Sequence, residues 1–151
     1  MLRQAFTERL KQAMKAREAR TVSTVRMILA GLKDRDIAAR GEGDPGGIAE
    51  PEIARMLQGM IKQRRESIAL YEQGSRADLA QQERDEIAVI ESFLPQQMSE
   101  DEIAAAAQAA IAETGAAGIK DMGKVMATLR EHHAGSMDFS RAGPMVKRLL
   151  G

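Results

Sequence analysis

The chain has 151 residues with no Cys, no Trp and 3% aromatic side chains, and its 22 Lys and Arg are matched by 22 Asp and Glu. Without cysteine there are no disulfides, thiolate metal sites or cysteine nucleophiles, and with no signal-peptide pattern and no apolar run near membrane-spanning length, a soluble, unprocessed cytoplasmic protein with no membrane partner is expected. Ala, Leu, Ile and ten Met supply the apolar content, a balance that favours helices over strands, so the expected fold is all-α.

Leu2, Phe6, Leu10 and Met14 recur every four residues and define a first helix with one apolar stripe. Val22, Val25, Ile28 or Leu29, and Leu32 carry a second helix to about Arg40, where GEGDPGG strings helix breakers together. From Pro51, a residue suited to a first helical turn, Ile53, Met56, Leu57, Met60, Ile61, Ile68 and Tyr71 mark a long third helix closing at Gly74. Ser75 is the expected cap of a fourth helix, with Leu79, Ile87, Ile90, Phe93 and Leu94 facing inward before Pro95. Residues 1–95 therefore read as an N-terminal helical bundle.

The signals restart at Ser99-Glu100-Asp101-Glu102, a capping box placed before Ile103 and an Ala-rich run that extends to about Glu113. Ile119, Met122, Val125, Met126 and Leu129 give a further amphipathic helix, and Met145, Val146, Leu149 and Leu150 a short last one, with Pro144 expected within its first turn. Residues 96–151 read as a small three-helix C-terminal lobe.

Charge is segregated along the chain. Residues 1–33 hold eight basic and two acidic side chains, residues 34–119 eight and seventeen, and residues 120–151 six and three, so both ends are basic and the middle is acidic. That pattern admits an anionic ligand at either end, and it also arises on ordinary solvated helix faces.

Catalytic signatures are missing. His132 and His133 are sequence neighbours and point in different directions on a helix, which excludes the paired spacing of a helical zinc site, and no nucleophile elbow, P-loop or dinucleotide fingerprint occurs. Glu83, Asp85 and Glu86 are expected on a solvated face, and Met56/Met60 and Met122/Met126 in the core. No metal and no cofactor are expected. Of the basic clusters, Lys62, Arg64 and Arg65 fit a salt-bridged solvent face, with Lys62 reaching Glu66 one turn on. Lys120, Lys124, Arg141, Lys147 and Arg148 are the candidate nucleic-acid contacts, because Lys and Arg on phosphates supply most sequence-independent affinity for nucleic acids. The competing account of the last two is attraction to a helix C-terminus, worth about 0.3 to 1 kcal/mol.

Three ordered blocks, QAMKAREARTVSTVRMILAGLKD, IKQRRESIALYEQGSRADLAQQERDEIAVIESFLPQQMSEDEI and ETGAAGIKDMGKVMATL, resemble YqeY proteins, and the resemblance covers nearly the whole chain outside the GEGDPGG loop. It implies a helical bundle followed by a small helical lobe similar to the tail of the GatB amidotransferase subunit, which helps to grip tRNA while the GatB body carries the transamidation chemistry. The resemblance thus implies a non-catalytic tRNA-binding accessory module linked to translation, with any carbon-nitrogen ligase label belonging to the complex. Its Lys-Asp-Met-Gly-Lys-Val motif falls on Lys120, Asp121, Met122, Gly123, Lys124 and Val125, and its final basic-apolar helix on MVKRLL. Asp121 is expected to steady the first turn of its helix and Gly123 to allow close backbone approach of a neighbouring helix, the favoured reading, or of a phosphate, while Ser140 to Pro144 depart from an ordinary helix start and set Arg141 apart. The alternative is an adaptor that docks on an aminoacyl-tRNA synthetase or amidotransferase.

Overall fold

A computed structural model describes residues 1–151 as seven α-helices and no strand. They fall into two compact units, Met1–Leu94 and Pro95–Gly151, each with its own core.

In the first unit, α1 (Leu2–Ala16), α2 (Ala19–Gly41), α3 (Glu50–Gln73) and α4 (Ala77–Glu91) bury Phe6, Val25, Ile28, Ile53, Leu57 and Ile90 completely or nearly so. These are the positions that the helical period places inward, each worth about 1.5 to 3 kcal/mol of burial. Phe6 meets Phe93 edge to face at a centroid distance of 4.8 Å. A Cβ at Gly31 of α2 would stand 2.9 Å from Met60 Cε of α3, the movable end of a flexible side chain. Met56 is buried and Met60 packs against the same core, as the spacing of the two methionines predicts.

Two details depart from the sequence reading. Ser75 does not cap α4: it sits in the left-handed region at φ 57°, Arg76 precedes the helix, and no side chain accepts an end amide. Met14 is half-exposed, because the stripe on α1 runs past the edge of the core at that turn.

The acidic stretch of α4 is not simply solvated. Arg64 is buried, donates through Nε to Glu86 at 2.9 Å and through Nη1 to the Met60 carbonyl at 3.2 Å, and lies 3.8 Å from Glu83. Arg65 pairs with Glu91, and Asp85 with Arg20 of α2 at 2.9 Å. The pairs tie α4 to α2 and α3, whereas the expected Lys62 to Glu66 bridge does not form. Burial, with the charge of Glu86 beside it, holds the Glu83 carboxyl above its usual range.

In the second unit, α5 (Glu100–Thr114), α6 (Met122–His133) and α7 (Phe139–Leu150) pack pairwise. The capping box is present as read: Ser99 Oγ accepts from the Glu102 amide and Glu102 Oε1 from the Ser99 amide, both at 3.2 Å. Ile103, Ala107 and Ala110 lie on one face of α5, where alanine permits close approach of Val125, Leu129 and Val146. The Met98 amide donates to the Ser136 carbonyl at 2.9 Å, and Gln97 to Gly135, fastening the approach to α5 onto the connection between α6 and α7. Met126 is buried and Met122 partly so, both against this core.

Pro144 stands inside α7, not within its first turn. The helix starts earlier because the Asp138 carboxylate accepts the Ser140 amide at 3.0 Å and so supplies a cap ahead of the apolar positions. No helix is long and apolar enough to cross a membrane.

Candidate nucleic-acid interface

The segment before α6 is a single 3-10 turn, Ile119–Asp121, which presents Lys120 to solvent. Asp121 shapes it: its Oδ2 accepts the Ala117 amide at 2.9 Å. The carboxylate therefore reaches back to brace the turn from the position just before α6, without accepting an α6 amide. Lys124, in the first turn of α6, keeps a largely exposed side chain with Nζ 4.0 Å from Asp121 Oδ1, a loose contact of little energetic weight.

Gly123 is exposed, and a Cβ built on it meets nothing within 4 Å. Helix packing does not require glycine there, contrary to the expectation from sequence. Open surface, not a neighbouring helix, lies over this turn.

Lys147 and Arg148 occupy the last turn of α7, both exposed. The end of that helix lies against the Lys120 turn: residues 117–121, Asp121 among them, line a shallow cleft of about 550 Å³ with Leu150 and Gly151. Lys120 thus stands at the end of the helix that bears Lys147 and Arg148. None of the three forms an ion pair and all three are exposed, although the Asp121 carboxylate shares the cleft with Lys120. Lys124 follows one turn into α6. Arg141 is not brought to this group, because it is partly buried in the first turn of α7, six residues and about 9 Å of helix axis before Lys147.

Arg130 was not singled out by sequence. It lies 5.7 Å from the centroid of the Phe139 ring, a cation–π contact that joins the last turn of α6 to the first residue of α7. An arginine in a last turn has an ordinary reason to be there, so only the packed structure marks its partner. His132 Nε2 lies 3.3 Å from Glu113 Oε2, and no group of three or more His, Cys, Asp or Glu side chains is arranged to hold a metal ion. The arrangement offers exposed cations and backbone, suited to contact with phosphate oxygens.

Among curated proteins, the chain is similar to Altered inheritance of mitochondria protein 41, mitochondrial, from Lachancea thermotolerans, at 32% identity over 58% of this chain and 44% of that protein. The protein of the same name from Clavispora lusitaniae is 34% identical over 56% of this chain and 46% of its own length. Uncharacterized protein C22F3.15 of Schizosaccharomyces pombe is 26% identical over 65% of this chain and 76% of that one. The chain thus spans less than half the length of the first two, and none of the three is named as an enzyme. The sequence model of the Yqey-like proteins matches residues 3–150, nearly the whole chain, and the chain belongs to that family.

Proposed function

We propose that this chain is a tRNA-binding accessory module associated with tRNA-dependent amidotransfer or aminoacyl-tRNA metabolism, acting in the cytoplasm and performing no chemistry itself. The observation that carries this reading is the open end of the C-terminal unit, where Lys120 lines a cleft with the end of α7 and Lys147 and Arg148 sit exposed on the last turn of that helix. None of the three is in an ion pair, and Asp121 is the one carboxylate side chain in the lining. Lys124, one turn into α6, extends the basic surface, and Arg141, at the far end of α7, stands apart from it. With so few aromatic side chains to stack on unpaired bases, recognition runs through RNA shape and backbone. The resemblance of the sequence blocks to YqeY proteins, which implies a lobe like the GatB tail, suggests tRNA as the ligand class. The names of the relatives supply a mitochondrial setting for those proteins, and a cysteine-free chain suits any reducing compartment.

The test is fluorescence anisotropy with labelled total tRNA across a salt series, comparing wild type with a Lys120→Ala, Lys124→Ala, Lys147→Ala variant. Binding that weakens with salt is expected, with a salt slope reduced in the variant by about 0.7 to 0.9 for each phosphate it no longer neutralises. Unchanged binding by the variant removes this face from the proposal. Absence of tRNA binding at low salt removes the function and favours the adaptor that docks on a synthetase or amidotransferase.

A further inference from the structure

A second cleft, of about 440 Å³, opens where α1 turns into α2, lined by Met14, Arg17, Ala19, Val22, Ser23 and Arg26. Ala19, Val22, Ser23 and Arg26 follow the i, i+3, i+4, i+7 spacing, so one face of α2 forms a wall, while Met14 and Arg17 close the cleft from the end of α1. Its lining combines apolar Met14, Ala19 and Val22 with the cationic Arg17 and Arg26.

The charge of these two arginines is uncompensated for a specific reason. Glu8 and Glu18 are the only acids among the first 33 residues. Glu18 is held by Arg9 at 2.7 Å, and Asp85, the acid that α4 offers to α2, is held by Arg20 at 2.9 Å. Arg17 and Arg26 are both exposed and form no ion pair.

Arg17 also occupies an unusual backbone position. At φ 57° and ψ 38° it is the left-handed residue of a helix-ending turn in which its own amide donates to the Met14 carbonyl and the Glu18 amide to the Ala13 carbonyl at 3.0 Å. Glycine takes that conformation without steric penalty and is the usual choice. Here a strained residue carries a guanidinium to the edge of a cleft. Ser23 Oγ donates its hydrogen to the Arg20 carbonyl at 3.0 Å, which leaves its lone pairs to accept from a ligand hydroxyl.

We propose that this cleft binds the phosphodiester backbone of RNA, with the Arg17 and Arg26 guanidiniums on phosphate oxygens, the ribose against Met14 and Val22, and Ser23 Oγ accepting a 2′-hydroxyl. The planar guanidinium fork matches phosphate oxygens in pairs, and the cleft is too large and open for a lone phosphate ion. The inference rests on reading the chain as an RNA-binding protein, and it uses residues of the first unit, none of them among the C-terminal lysines.

The test uses the full chain with labelled tRNA, in parallel with the C-terminal triple variant. Arg17→Gly with Arg26→Gln is expected to melt no lower than wild type, since glycine suits the turn, while the salt slope falls by about 1.4 to 1.8 for two phosphates left without a guanidinium. Arg17→Gln with Arg26→Gln, which leaves the turn strained, should give the same slope change. Ser23→Ala should reduce the preference for an RNA strand over DNA of the same sequence. Weaker binding in the triple variant alone overturns this cleft and leaves the C-terminal face standing; weaker binding in the Arg17/Arg26 variants alone does the reverse. Wild-type protein that binds vesicles containing phosphatidylserine but not RNA overturns it in favour of a membrane-facing surface.

Discussion

Arg3 and Asp36, 33 residues apart in sequence, close on each other through both guanidinium Nη atoms, with Nη2 2.9 Å from Oδ1. The same carboxylate accepts the Ile48 amide at 2.9 Å, and Arg3 Nη2 also donates to the Ile48 carbonyl at 2.7 Å. One ion pair therefore joins the start of α1, the end of α2 and the GEGDPGG loop. The Leu2 amide adds a bond to Glu50 Oε1 at 3.1 Å, which brings in the first turn of α3.

Gly47 is the part of this junction least tolerant of a side chain. Its φ of +78° is the left-handed region, and a Cβ there would lie 2.7 Å from Asp36 Cγ. Gly43 has φ +100° but open space around it. Gly47→Ala should therefore cost about 2 kcal/mol or more, combining backbone strain with displacement of Asp36, and Gly43→Ala only the strain of about 1 kcal/mol. Urea unfolding of both variants checks this, and equal losses of stability would mean that Asp36 moves aside freely.

The junction should also respond to pH. The hydrogen bonds from Arg3, together with the Ile48 amide, hold the Asp36 carboxyl below its ordinary range despite its burial. A lowered folded-state pKa contributes stability that is complete above the unfolded value of about 3.9 and is lost as pH falls through the folded value. Asp36→Asn should then be less stable than wild type by about 1 to 3 kcal/mol at pH 7, with the gap narrowing below about pH 4. Melting curves at several pH values measure it; a gap that stays constant into acid would show that poorer packing, not charge, is responsible.

Much of the fold was legible because local rules and tertiary packing agree. Phe6, Val25, Ile53 and Ile90 follow the helical period into the core, and Ser99 with Glu102 makes the capping box its spacing announces. What stayed hidden depends on which helix lies opposite. The period of α3 and α4 shows polar positions at Arg64 and Glu86, and nothing local says that they face each other. Among the site residues, Lys120 and Lys124 were visible as a helical pair, but the 3-10 turn and the end of α7 beside Lys120 follow from long-range packing. Arg17 escaped notice because a positive φ at an arginine leaves no mark in the sequence.

Arg64 is the most exacting of the hidden residues. Its side chain is 9% exposed and serves Glu86, the Met60 carbonyl and, through Nη2, Met27 Sδ at 3.1 Å. Arg64→Ala leaves Glu83 and Glu86 close together without their cation and should destabilise the protein by about 3 kcal/mol, the low end for breaking a buried pair. Adding Glu86→Gln should recover part of that stability, because it removes the unpaired charge. Equilibrium unfolding of the three variants forms the cycle, and strictly additive effects would rule out the coupling between Arg64 and Glu86.

Pro144 offers a test of where α7 begins, and through it of where Arg141 sits. As the sixth residue of a helix starting at Phe139, it has no amide to give the Ser140 carbonyl, and its ring crowds that carbonyl. Pro144→Ala should supply the missing bond and stabilise the chain by about 1 to 3 kcal/mol. Asp138→Ala should remove the cap on Ser140 and cost about 1 kcal/mol. If instead α7 started near Pro144, a proline in the first turn would be harmless, its replacement would leave the melting temperature unchanged, and Asp138 would have no amide to cap. The stability of these two variants therefore decides between an Arg141 fixed in the first helical turn, apart from Lys147, and an Arg141 on a free connection able to join the basic end of the unit.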